Sequence, residues 1–298
     1  MFFIILLIPM ILALAAENLL WKRNKLKPLD ALVANSVWRF VFIVGAFLVV
    51  FAFTGVEIFD NFTPSVLLLS LSINAIGAVA VLAWVKTMQF MCVSISEPLS
   101  LFRIIPLALL SWLIFGGALS TTEILLIIAM FILCASLGFF QGRFETKCKI
   151  SPHFARGVLF LLLWVACFVA MDLIVQYATR LELNAFKFSA LRATTFVLFC
   201  FALVLIVRRG KNLKPIVEAL KNTNMILIGL AFAVSSLIFM ILLADIGNAG
   251  ILAALSVASI PLVVLAGVFL MKDRVRWYSY ILIAGIVTCV VLLSLYSI

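Results

Sequence analysis

Six ionisable side chains stand inside otherwise apolar runs of this sequence: Glu17, Arg39, Glu97, Arg103, Asp172 and Arg192. A charge held in hydrocarbon costs about 3 kcal/mol or more, so each is a candidate member of a binding site. Arg39 and Arg192 each follow a serine three residues earlier, Ser36 and Ser189, in the pattern Ser-x-x-Arg. A guanidinium offers a planar fork of donors that suits a carboxylate or phosphate. The alternative is an arginine paired permanently with an acid to fix helix packing. Glu17 and Asp172 supply the acids. A carboxylate in a low-dielectric cavity can exchange a proton near neutral pH and so couple proton flow to a ligand by competition for one site. The same pair could instead neutralise the arginines.

The stretch from Ser94 to Pro106 is the most polar of the apolar runs. Ser96, Ser100 and Arg103 recur at spacings of four and three, which makes one stripe on a helix. Glu97 falls about 120° from Arg103 on the same wheel, so the two are not a simple intrahelical pair. Pro98 and Pro106 each remove a backbone donor and invite a kink, and the freed carbonyls need a cavity or a neighbouring helix. These residues are expected to line a cavity, with Asn74 as a polar companion and Trp164 as a stacking or cation–π wall. Trp38, Trp84 and Trp112 are expected as interfacial anchors. Gly77, Gly229, Gly267 and Gly285 read as close-packing points between helices.

The elements that position these residues follow from composition. The chain of 298 residues is 66% hydrophobic and 11% charged, with mean hydropathy +1.32. Too few charges are present to coat a water-wetted surface. In lipid only helices or closed barrels satisfy their own backbone, and long unbroken apolar runs exclude barrel strands. The expected fold is all-α and polytopic, with about ten transmembrane helices. Spans are expected near 2–21, 31–54, 65–86, 94–116, 122–140, 155–178, 185–207, 224–244, 249–271 and 278–297. The first lacks a positive n-region and a cleavage site and is read as an anchor rather than a signal peptide.

The formal charge of +10 does not imply nucleic acid, because the basic residues sit in short links between spans rather than on one soluble face. The odd-numbered links are basic, from Lys22 and Arg23 after the first span to Lys272, Arg274 and Arg276 after the ninth. The even links hold only Arg180 and Lys187. Odd links therefore face the cytoplasm, which puts both termini outside. The six cysteines show no CxxC spacing and read as buried small hydrophobes. His153, the single histidine, lies in the central loop, so a histidine-based metal site or nucleophilic triad lacks its parts. No cofactor is expected.

A repeat is legible. Shifting the first half by 155 residues lays Ile105-Pro106-Leu107 on Ile260-Pro261-Leu262, Cys134 on Cys289 and Glu17 on Asp172. A shift of 153 lays Ser36 and Arg39 on Ser189 and Arg192. Five spans per copy is an odd number, so the copies insert in opposite orientations, and the link charges invert accordingly. The expected organisation is a five-helix repeat over 1–140, a central cytoplasmic loop over 141–153 and a second repeat over 154–298. Inverted repeats are the architecture of alternating-access transporters, with the ligand near the midplane. The counterpart of the Ser96–Arg103 stripe carries Ser256, Ser259 and Pro261 but no charge, so the cavity is expected to be chemically asymmetric.

Leu163-Trp164 leading through to Arg192, and the two Ile-Pro-Leu helices, give a pattern that resembles the drug/metabolite transporter superfamily, in particular its EamA-type branch. The resemblance covers nearly the whole chain. It departs after the fourth span, where Phe115-Gly116-Gly117 stands in place of Gly-Glu-Arg; Met271-Lys272-Asp273-Arg274 approximates that motif in the second copy. The resemblance implies a proton-coupled or exchange-type carrier with a central cavity lined by the first four helices of each repeat. The expected function is secondary transport of a small polar metabolite, amino-acid-like or otherwise zwitterionic, across the plasma (inner) membrane. Its expected partners are the substrate and the bilayer, and a monomer would suffice. Two alternatives are a flippase for a lipid-linked sugar or phospholipid, and an intramembrane lipid-modifying enzyme.

Overall fold

The computed structural model describes residues 2–23, 26–54, 63–91, 96, 99–116, 119–140, 154–181, 183–208, 213–271 and 277–296. Of the features above, Glu97, Pro98, His153, the 141–153 link, two of the six cysteines (Cys92 and Cys148) and the basic residues at 272–276 lie outside them. The described residues are helical, with no strand among them. In order they are α1 (Phe2–Arg23), α2 (Pro28–Thr54), α3 (Pro64–Phe90), a 3₁₀ turn (Leu101–Arg103), α4 (Ile104–Phe115), α5 (Thr121–Phe140), α6 (Phe154–Arg180), α7 (Ala185–Arg208), α8 (Lys214–Leu220), α9 (Thr223–Ile246), α10 (Ala249–Ser256), α11 (Ser259–Met271) and α12 (Trp277–Tyr296). Several of these helices are long and apolar enough to cross a bilayer, and large apolar side chains such as Phe53, Leu113 and Ile206 stand exposed on them. The chain is a multi-pass helical membrane protein.

Local sequence explains where the helices start and stop. Ser120 and Glu123 form a reciprocal capping box at the head of α5: Glu123 N donates to Ser120 Oγ at 3.2 Å, and Ser120 N donates to Glu123 Oε2 at 2.8 Å. Asn184 Oδ1 accepts from the Phe186 and Lys187 amides and caps α7. Asn248 Oδ1 does the same for α10 through the Gly250 and Ile251 amides. These side chains satisfy donors that a helix start leaves open. Gly116 and Gly247 adopt φ of 69°, the left-handed residue that closes α4 and α9.

Two compact units divide the chain, each drawing a segment from both halves of the sequence. The first comprises Met1–Leu82 with Ile174–Ala244, the second Ala83–Leu173 with Asp245–Ile298.

In the first unit α2 lies antiparallel on α7. Asp30, at the start of α2, pairs with Arg208 at the end of α7. Nearer the middle, Leu32 and Val33 pack with Phe196, Cys200 and Val204, and Ile43 and Phe47 meet Ala190, Ala193 and Ala233. Lipid tails are as apolar as leucine, so association here depends on close packing rather than on escape from water. Small residues opposite large ones supply it. At Gly229 of α9, an added Cβ would come within 2.4 Å of Trp38 Cβ, so only glycine fits.

In the second unit α5 packs on α12 and α4 on α10. Gly250 touches the α4 backbone so closely that a Cβ would sit 2.2 Å from Ala108 Cα. An added Cβ at Gly285 would lie 3.1 Å from Leu133 of α5. One irregularity recurs. The 3₁₀ turn Leu101–Arg103 precedes α4, and the turn at residues 257–258 separates α10 from α11. The 155-residue shift that aligns the Ile-Pro-Leu segments carries Ile104, the first residue of α4, onto Ser259, the first residue of α11. Pro106 and Pro261 explain both restarts. Neither has an N–H, and each sits in the first turn of the new helix, where none is required.

Candidate functional site

The first unit gathers four of the expected residues. Arg39 of α2 lies within electrostatic reach of Arg192 on α7 and Glu17 on α1. Its guanidinium stacks on Phe232 of α9, with Cζ 3.3 Å from the ring centroid, and faces Phe196 of α7 at 5.0 Å. Stacking occupies the flat face of a guanidinium and leaves its in-plane donors for a ligand. Arg39 makes no hydrogen bond among the described residues, and its Nε is buried without an acceptor. Two like charges within reach of one another repel by on the order of 2 kcal/mol at an effective dielectric of about 20. Glu17 offsets part of that; its Oε1 also accepts from Trp21 Nε1 at 3.3 Å.

Asn74 stands beside the segment of α7 that carries Arg192. It is buried, and its Nδ2 donates to the Arg192 carbonyl at 3.0 Å and to Thr195 Oγ1 at 2.5 Å. Thr195 Oγ1 is in turn 2.7 Å from Ser70 Oγ. The network ties α3 to α7 and sets the rotation of the segment that carries Arg192. Arg192 Cζ stands 6.0 Å from the Phe188 ring. The serines of both Ser-x-x-Arg pairs are buried: Ser36 donates to the Val33 carbonyl and Ser189 to Met240 Sδ.

One residue escaped the sequence reading. Asn35 is one helical turn before Arg39 on α2, 2% exposed, and its Oδ1 is buried without a donor among the described residues. Spacing of four puts both side chains on one face. A buried amide oxygen left unmatched costs about 1–3 kcal/mol. Here an unmatched acceptor and an unmatched donor stand one turn apart and do not satisfy each other. The available signal was the i, i+4 spacing from an intramembrane arginine.

The second unit holds the other candidates. Arg103 Cζ lies 5.5 Å from the Trp164 ring and 5.1 Å from Phe168. Trp164 also lies tilted against Trp84, with ring centroids 4.8 Å apart, and against Phe168 at 4.4 Å. The cation facing Trp164 is the chain's own Arg103. Ser96 and Ser100 are buried in this unit. Asp172 is partly buried on α6 and belongs to this unit, whereas Glu17 belongs to the first. Two expected anchors are engaged inside their units. Trp38 Nε1 donates to the Leu220 carbonyl at 3.0 Å, and Trp84 lies against Trp164. Trp112 is half exposed.

No protein-family model matches the sequence. No curated protein matches it either. The fold, by contrast, is shared. Among 28 matching solved chains is a crystal structure described only as that of a protein. It superposes with a TM-score of 0.72, covering 98% of this chain and 98% of its own, at 13% identity. A likeness at that identity establishes the fold alone.

Proposed function

We propose that this chain is a secondary active carrier for a small zwitterionic metabolite of the amino-acid type, working by alternating access in the plasma (inner) membrane. The observation that carries the reading is the pair of unmatched groups on α2. Arg39 offers a buried Nε–H with no acceptor, and Asn35, one turn away, a buried Oδ1 with no donor, among the described residues. A carboxylate satisfies the first and an ammonium the second. An α-amino acid carries both on one carbon. Arg192 and Glu17, within electrostatic reach of Arg39, add a second cation for the carboxylate and an anion for the ammonium.

The architecture of the proposal is ten spans in two inverted repeats, with both termini outside. Seven helices long and apolar enough to cross a membrane, and three shorter apolar ones, support it among the described residues. The coincident helix restarts at Ile104 and Ser259, and the packing of α2 on α7 and α5 on α12, support the repeat. Each of those two pairs joins repeat counterparts. Interrupted helices in corresponding positions of two halves are a mark of carriers that bind substrate at the midplane. The sequence contains no ATP-binding motif, so the driving force is a proton gradient or a counter-substrate. The reading is in keeping with the EamA-type drug/metabolite transporters that the sequence resembles.

A thermal-shift screen of the detergent-purified protein tests the reading, using amino acids, their decarboxylated amines, quaternary amines and sugar phosphates. Amino acids should stabilise the protein and lose that effect in Arg39→Ala. Stabilisation by the amines alone, unchanged in Arg39→Ala, would reject it.

A further inference from the structure

Between α7 and α9, both long enough to cross a membrane, the chain forms the short helix α8. A link between two spans lies at the membrane surface. Three faces of α8 differ in kind. Ile216 and Ala219 are buried against the first unit. Lys214, Glu218 and Lys221 are exposed and, at about 100° per residue, fall on the side opposite the buried face. Leu213 and Val217 occupy the arc between, apolar yet 44% and 48% exposed. A helix with its inner face held by protein, its outer face charged and one edge apolar is shaped to lie in the headgroup layer with that edge toward the acyl chains. Packing within the unit does not explain the exposed Leu213 and Val217, because neither is covered by it.

We propose that α8 is a docking surface for anionic phospholipid headgroups, with Lys214 and Lys221 contacting the phosphates and Leu213 and Val217 seated among the upper acyl chains. Charge selects this occupant: two exposed lysines favour an anionic headgroup over a zwitterionic one, and the link belongs to the basic set that faces the cytoplasm. Glu218, exposed between the lysines, weakens the attraction. The surface also bears on the site described above. The Leu220 carbonyl at the end of α8 holds Trp38 Nε1, and Trp38 is the neighbour of Arg39. A lipid that steadies α8 therefore steadies the turn of α2 that carries Arg39.

Native mass spectrometry of the full-length protein released from micelles, with phosphatidylglycerol or phosphatidylcholine added, tests this. Wild type should retain phosphatidylglycerol in preference to phosphatidylcholine. Each surface lysine strengthens binding to anionic lipid by roughly fivefold, so Lys214→Gln with Lys221→Gln should weaken phosphatidylglycerol binding about 25-fold. Glu218→Gln should strengthen it by roughly fivefold. All three side chains are exposed, so the variants fold, and opposite signs from them separate headgroup binding from a general loss of stability. Equal retention of the two lipids, or variants within twofold of wild type, would overturn the proposal. So would displacement of the lipid by inorganic phosphate alone, or a double variant that changes dimer content instead of lipid count. None of these outcomes bears on whether Arg39 binds a carboxylate.

Discussion

Replacing Asn35 by leucine should strengthen the empty protein and weaken its hold on an amino acid. Leucine shares the branching of asparagine at Cγ and carries no polar atom, and it is the bulkier of the two. Asn35 is 2% exposed and its Oδ1 has no donor among the described residues. Removing an unsatisfied buried oxygen recovers about 1–3 kcal/mol, which for a helical membrane protein should appear as a rise of a few degrees in melting temperature. The same substitution removes the acceptor assigned to the substrate ammonium. A hydrogen bond to a charged group contributes about 1.5–3 kcal/mol, or roughly 10- to 150-fold in Kd. The assay is a thermal-shift titration with an amino acid and with its deaminated analogue, which keeps the carboxylate and lacks the amine. Asn35→Leu should weaken the amino acid by that factor and leave the analogue within about twofold. Arg39→Lys, which keeps the charge and loses the planar fork, should weaken both. The reasoning is refuted if Asn35→Leu destabilises the empty protein, or weakens both ligands alike.

Gly250 should tolerate no side chain, because a Cβ would lie 2.2 Å from Ala108 Cα, which is backbone and cannot swing aside. Gly250→Ala should cost about 1–3 kcal/mol, read as a lowered melting temperature, while Gly45→Ala, with nothing within 4 Å of the new Cβ, should not lower it. Cys134 of α5 and Cys289 of α12, which the 155-residue shift lays on each other, lie within electrostatic reach of one another. In a variant retaining only these two cysteines, a short bis-maleimide should keep the halves joined after cleavage in the 141–153 link, and halves that separate would contradict that packing.

Hydropathy was enough to announce a multi-pass helical membrane protein, because a helix in lipid must be apolar for about 20 residues whatever its neighbours. Pro106 likewise announced its effect, since a missing N–H acts locally. The partners of each helix were less legible. Ala190, Ala193 and Ala233 form a packing surface, yet in the sequence they are three alanines among many. That each compact unit draws on both halves of the chain followed from no local signal. That Asn74 ties α3 to α7 was not legible either, because it rests on where its two N–H groups point. Asn35 was passed over because it is uncharged and follows the run Ala31-Leu32-Val33-Ala34, where a lone amide reads as incidental. Its meaning depends on having no partner, which only the packed structure reveals.

Counterflow in proteoliposomes tests the central claim most directly. Vesicles holding purified protein are loaded with an unlabelled amino-acid mixture and diluted into the same amino acids at trace level, radiolabelled. The account predicts transient accumulation of label above equilibrium by the wild type and none by Arg39→Ala reconstituted at equal density. Accumulation that persists undiminished in Arg39→Ala, or label that never exceeds the empty-vesicle level while a lipid-linked probe changes leaflet, would contradict it.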